Sequence, residues 1–305
     1  MVNSAAEKGS PLRSQGFAAA EQGSGRKLFY GLFVFPLLIA VGMATLLCTV
    51  VLLTREAETP ESLITAIKTG SPSKRWQKAF ELSNELNQGR GMIRESGVMK
   101  EIIHIMNDAG EYDARTRSYM AMALARFDEP EAVAALKEAL KREPEPDVQI
   151  HLIWALGIRQ AGEALDQILP FLKSEKEDLR KTAAYVAGAL GDTKAVDSLR
   201  PLLEDSARDV RWNAALSLAR LGSDAGYGEL LKMLDRESLA TYHRLSDAKI
   251  EEIMVNAVKG IALLEKAEAM PELARISAND KSLKVRQAAM DALEYQKGNK
   301  REEEG

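Results

Sequence analysis

Residues 178–222 read DLRKTAAYVAGALGDTKAVDSLRPLLEDSARDVRWNAALSLARLG. This stretch holds one unit written twice. Asp178-Leu179-Arg180 returns as Asp209-Val210-Arg211, 31 residues on, and Asp147-Val148-Gln149 stands 31 residues before it. The segments behind these triplets run QIHLIWALG, RKTAAYVAG and RWNAALSLA. The preceding segments keep step, with ALDQILPFLK from Ala164 matched by AVDSLRPLLE from Ala195 and Pro170 matched by Pro201. A fixed period of this length is the signature of stacked repeats that share a continuous core. The residues suit helix pairs. An Asp at the start of the second helix suits its free N–H groups and positive end. Paired alanines (Ala183-Ala184, Ala214-Ala215) let helices approach closely. Gly191 and Gly222 permit a left-handed close.

The register extends outward with looser spacing. Residues 116–127 and 74–82 match upstream, and 255–264 and 284–293 match downstream. About seven helix pairs result. One equivalent position carries Arg75, Arg117, Gln149, Arg180, Arg211, Met254 and Arg286. Ala, Leu, Glu, Lys and Arg dominate, aromatics are 6%, and no alternating β-branched run occurs, so the predicted class is all-α.

The turn Asp, the Val-Arg after it, the Ala-Ala pair and the Leu-Gly ending resemble the HEAT-repeat family. The resemblance is strongest to its short-period branch in phycobilisome bilin lyases (PBS lyase HEAT-like repeats). It covers nearly all of the chain after residue 60 and is sharpest over residues 130–222. It implies an armadillo-like, right-handed α-solenoid. It also implies a structural ladder between neighbouring repeats, with Asp147, Asp178 and Asp209 set against Arg117, Arg180, Arg211 and Arg286. As a function, it suggests a bilin-lyase-like enzyme or cofactor chaperone as the alternative to a scaffold. The proteins it resembles are soluble, whereas this chain carries a membrane-length segment.

That segment is LFYGLFVFPLLIAVGMATLLCTVVLLT, residues 28–54, with no charge in it. A bilayer core needs roughly 20 apolar residues as a helix. The run exceeds the apolar region of a signal peptide and lacks the polar face of a core helix. It predicts a single transmembrane helix, with Pro36 tolerated in it. Arg26 and Lys27 flank one end against Arg55 at the other. That bias favours a cytoplasmic N-terminus, a bacterial inner membrane and a periplasmic solenoid.

The domain expectations follow. Residues 1–27, rich in Ser, Gly, Ala and Gln, are expected to be a disordered tail. Residues 55–60 form a linker short enough to hold the solenoid near the membrane. Residues 61–296 form the solenoid, and 297–305 a disordered charged tail.

Chemistry is sparse. The net charge is −4, with +2 on residues 1–27 and −6 on the remainder. A mildly acidic body without a basic block argues against nucleic acid. Cys48 is the only cysteine and lies in the apolar run, which excludes an intrachain disulfide and a thiolate site in the repeats. His104, His151 and His243 have no acidic or histidine partner at helical spacing, and the His-Glu pairs of HEAT-type metal hydroxylases are absent. No phosphate loop or nucleophile motif occurs. No catalytic residue, metal or cofactor is expected.

One pattern points to binding. At 100° per residue, the second helix of each pair turns two columns away from the core. One reads Phe80, Met122, Trp154, Tyr185 and Leu216, then Lys259 and Asp291. The other reads Trp76, Ser118, Ile150, Lys181, Trp212, Val255 and Gln287. All three tryptophans fall on this face, predicted to be concave. Apolar surface that continues across elements marks interaction sites, and Trp and Tyr are frequent anchors. The alternative is that curvature buries these columns. The insertion at residues 236–247 is a second candidate, or else a plain surface loop. The expected function is a membrane-anchored, non-catalytic scaffold or adaptor that takes a protein partner on this face.

Overall fold

The computed structural model describes residues 29–54, 59–88, 96–242 and 245–303. Two compact units divide at Glu58/Thr59. In the first, a π-helical turn (Tyr30–Val34) runs into helix α1 (Phe35–Thr54). Residues Tyr30–Val50 are apolar enough and long enough to cross a membrane. Pro36, which lacks a backbone N–H, stands in the first turn of α1, just after the π-helical turn.

The second unit is a stack of helix pairs with no strand among the described residues. The first helices of pairs one to three are α2 (Pro60–Thr69), α4 (Ser96–Asn107) and α6 (Pro130–Arg142). Their second helices are α3 (Pro72–Asn87), α5 (Ala114–Leu124) and α7 (Pro146–Ile158). In pair four, a broken segment with α8 (Leu165–Ile168) at its centre precedes α9 (Glu177–Ala189). Pair five repeats this with α10 (Val196–Leu199) and α11 (Arg208–Arg220). Pair six has α12 (Tyr227–Lys232), α13 (Arg236–Ala240) and α14 (Asp247–Leu263). Pair seven has α15 (Met270–Asn279) and α16 (Leu283–Glu303).

Local chemistry explains the ends and breaks. Thr59 and Asp113 accept from the backbone N–H groups of Ser62 and Thr116 at 3.2 and 3.0 Å, capping α2 and α5. Pro170 and Pro201 sit in 3₁₀ turns, Leu169–Lys173 and Arg200–Glu204, because proline removes the donor and crowds the preceding turn of an α-helix. Gly191 and Gly222 close α9 and α11 at φ 75° and 74°. Gln160, at the same place after α7, takes φ 49° without being glycine. At Gly188 a Cβ would stand 2.3 Å from that of Ser217, so α9 and α11 touch through this glycine. The close approach lets the buried Ser217 hydroxyl donate to the Ala184 carbonyl at 2.8 Å.

Each pair buries a leucine- and alanine-rich seam against the next. Leu82, Leu136, Leu152, Leu156, Leu199 and Leu218 are essentially inaccessible. Burial of each such side chain stabilises by roughly 2 kcal/mol. One core cluster runs from Leu63 to Leu221 and a second from Trp212 to Ala292. Helix α11 supplies both, with Val210, Ala214 and Leu218 facing back and Ala215 and Ala219 facing forward.

One expectation changes here. The charged tail proposed from Lys297 is helical as far as Glu303, since α16 meets no proline and the segment is rich in helix-forming Lys, Arg and Glu. Residues 304–305 and the tail at 1–27 lie outside the described residues, as do linker residues 55–58.

Candidate protein-binding wall

The second helices stack on one another in sequence, and they approach more closely than the first helices do. That is the arrangement of an inner wall in a curved stack. What holds the wall is a ladder at the turn between the helices of each pair. Arg180 donates to the Ser174 carbonyl of its own turn at 2.8 Å and forks onto Asp205 of the next turn at 2.7 and 2.9 Å. Arg75 likewise donates to the Gly70 carbonyl at 2.9 Å and reaches the Glu111 carboxylate at 3.2 Å. Arg117 pairs with Glu143, and both side chains are almost wholly buried, 5% and 6% exposed. Gln149, Arg211 and Arg286 donate to the carbonyls of Glu143, Asp205 and Asp280 at 2.6, 2.8 and 2.6 Å.

The basic half of the expected ladder is therefore in place, and the acidic half is corrected. Asp147, Asp178 and Asp209 do not meet these arginines. Asp178 takes Lys181 at 2.6 Å, Asp209 takes Arg208 at 3.4 Å, and the Asp147 carbonyl lies 2.6 Å from the His151 ring. They stand in the first turn of their helices, on the solvent side. The acid that pairs sits four residues earlier, at Glu111, Glu143, Asp205 and Asp280, on the turn that faces the previous repeat. Asp205 is held below the usual carboxylate range by the Arg180 fork, against its partial burial and with help from the Ala207 amide. Burial pushes Asp280 up, but hydrogen bonds from Arg236 and the Ser282 amide outweigh it, and its pKa is also lowered.

The aromatic columns assemble into stacked rungs. The Phe80 ring packs edge-on against Tyr119 at 5.4 Å, and Phe80 is 44% exposed. Trp154 lies against Tyr185 at 4.9 Å, and the Arg220 guanidinium sits 4.9 Å from the centre of the Tyr185 ring. Arg115 lies 4.4 Å over Trp76. Trp76, Met122, Ile150, Trp154, Tyr185 and Leu216 are all partly exposed. Trp212 departs from expectation, being only 8% exposed and part of the second core cluster. The insertion is the reason. Leu239 of α13 is buried in that cluster, and Arg208 is held between Trp212 and Tyr242 at 4.6 and 4.3 Å. Residues 243–244, with His243, lie outside the described residues.

Sequence reasoning missed Tyr119, Tyr242 and the stacking of Arg115, Arg208 and Arg220 on rings. Tyr119 sits one turn before Met122, off the two columns compared, and Tyr242 falls in an insertion with no repeat register. Among the described residues, no group of three or more His, Cys, Asp or Glu could hold a metal ion.

Comparison with known proteins agrees with this geometry. Residues 99–175 and 165–246 match the HEAT-repeat family. The chain is built of HEAT repeats. Its solenoid is similar in fold to the CpcE–CpcF complex of phycocyanin lyase from Nostoc sp. PCC7120. That match has a TM-score of 0.53 and 17% identity over 80% of this chain and 96% of that one. Weaker likenesses include a designed armadillo repeat protein in complex with the peptide (KR)4 (TM-score 0.41, 18% identity, 78% and 100% covered). Another is human deoxyhypusine hydroxylase in complex with glycerol (TM-score 0.34, 14% identity, 78% and 84% covered). No curated protein matches the sequence. At 17% identity the likeness to the phycocyanin lyase structure speaks for the fold alone.

Proposed function

We propose that this HEAT-repeat chain is a membrane-anchored scaffold or adaptor that holds a protein partner on its inner wall and carries out no reaction itself. The observation that carries this reading is the aromatic ladder. Rings from α3 and α5, and again from α7 and α9, pair across neighbouring repeats and stay partly exposed, although Tyr119, Trp154 and Tyr185 also pack against the core. Of the residues read from the sequence, Trp76, Phe80, Met122, Ile150, Trp154, Tyr185 and Leu216 belong to that surface. Trp212 does not.

The anchor reading rests on Tyr30–Val50, 21 residues of mean hydropathy 2.4 with none of the span buried in the chain. A core helix would be covered by its own protein. Arg26 and Lys27 before the span outnumber Arg55 after it, which supports a cytoplasmic N-terminus and, in a bacterial inner membrane, a periplasmic solenoid.

The test is affinity capture from native membranes with the full chain and its Trp154→Ala variant. Loss of the captured partner with helicity unchanged is the expected result. A partner retained by the variant at wild-type yield would overturn the reading. The likeness in fold to a phycocyanin lyase keeps one rival in view, a bilin-lyase-like enzyme or cofactor chaperone. A visible-light-absorbing chromophore that co-purifies with the chain would favour it.

A further inference from the structure

The rungs carry arginines as well as rings, and these are not in the same state. Arg208 lies on Trp212, but Asp209 is 3.4 Å away and Tyr242 covers its other face. Arg115 on Trp76 and Arg220 on Tyr185 are exposed, and neither has a carboxylate partner among the described residues. A guanidinium laid on a ring is fixed in plane, while its N–H groups point outward along that plane. Such a fork is preorganised for a carboxylate, with little side-chain freedom left to lose.

From this we infer that the inner wall recognises an acidic, extended protein segment, with carboxylates received by Arg115 and Arg220 and apolar side chains laid on the rings between them. The inference rests on the wall being the binding face. Arg115 begins α5 and Arg220 ends α11, three second-helix steps apart. Packed helices lie about 9 Å apart, so the diagonal between the two forks is roughly 30 Å. That is about ten residues of extended chain. Two of the wall's own acids along this path are already matched. Asp178 and Asp209 are matched by Lys181 and Arg208. Asp147 and Glu177 stand at the helix-start edge, where Arg115 also lies, and the path leaves that edge as it climbs toward Arg220. The chain as a whole has a net charge of −4, so two unmatched arginines on the ringed face run against the general balance.

The experiment uses the full chain in nanodiscs and a displayed library of decapeptides. Apolar residues alternate in it with positions that carry Asp, Lys or Ser. Selected peptides are then measured by fluorescence anisotropy against the wild type, Trp154→Ala, and the double variant Arg115→Gln/Arg220→Gln. Enrichment of Asp is expected, with binding weakened at least tenfold in the double variant and progressively by added salt. Enrichment of Lys, no charge preference, or no selected binder would overturn the inference. Peptides that still need Trp154 but ignore the arginine substitutions would sink the acidic partner and leave the wall standing. Binders indifferent to Trp154 would remove the wall as well.

Discussion

The middle of the solenoid and its C-terminal end solve one coupling problem with different residues. From pair one to pair four, each arginine of the column reaches forward to the turn of the next repeat, whereas Arg211 of pair five reaches Glu229 of α12. Arg75 takes Glu111, Arg117 takes Glu143 and Arg180 takes Asp205. Where the forward residue is the neutral Gln149, the equivalent acid is replaced by the neutral Ser174. At pair six the column holds Met254, yet the acid of the next turn, Asp280, is present and buried. Arg236, from the insertion, forks onto it at 2.7 and 2.9 Å. The insertion is thus a replacement rung as well as the cover of Trp212. A buried carboxylate must find a cation from somewhere, because an unpaired one is costly, and the chain position of the cation matters less than its reach.

Breaking a rung in each region tests that comparison. Glu143→Ala strands the buried Arg117 and is expected to cost about 3–4 kcal/mol, read from urea unfolding followed by circular dichroism. An effect near zero would mean that water reaches Arg117. Arg236→Ala is expected to cost less, about 2 kcal/mol, because Asp280 keeps the Ser282 amide at 2.8 Å. Its effect should be local. Amide exchange should rise in α15 and α16 and stay unchanged in α7 and α9, as nearest-neighbour coupling in repeat proteins requires. Uniform loosening would contradict the local-rung account.

Acid should weaken both regions together. Asp205 and Asp280 have folded pKa values lowered below their unfolded ones. Their contribution is complete above the unfolded value, near ~4, and is lost as pH falls through the folded one. Stability should therefore hold from neutral pH to about 5 and fall below about 4. Asp205→Asn should be less stable at neutral pH and show a shallower acid limb. A limb of equal steepness would place the acid-sensitive groups elsewhere.

The smallest expected effect sharpens the comparison between repeats at their helix ends. Gln160 holds the left-handed position that glycine holds at 191 and 222. Gln160→Gly should gain up to about 1 kcal/mol, less what is lost with the 3.0 Å bond from its amide to the Gly157 carbonyl. Gly222→Ala should lose about 1 kcal/mol, since its Cβ would meet open space and only the backbone is strained. Thermal melts decide both signs.

Much of this was legible in the chain. The period of 31, the paired alanines and the closing glycines specify which residues are core and where helices stop. The arginine column was legible as well. Its partners were not found, because the eye follows the strictly spaced Asp147, Asp178 and Asp209, which repeat for a helix-local reason at the first turn. The true partners, Glu111, Glu143 and Asp205, vary between Glu and Asp and lie 36, 26 and 25 residues ahead of Arg75, Arg117 and Arg180. The residues of the aromatic columns singled out as a surface are at least partly exposed, except Ser118 and Trp212.

Sequence alone determined the all-helical class, the number of pairs and the apolar span, because each is set by periodicity or composition within about 30 residues. Only the tertiary structure decided which acid answers which arginine, that Trp212 is covered, and that Arg115 and Arg220 lie on rings with their forks open. Those facts depend on side chains from different repeats, or from an insertion without register, meeting across a helix interface. Their distances are fixed by how the stack packs, which no local pattern encodes.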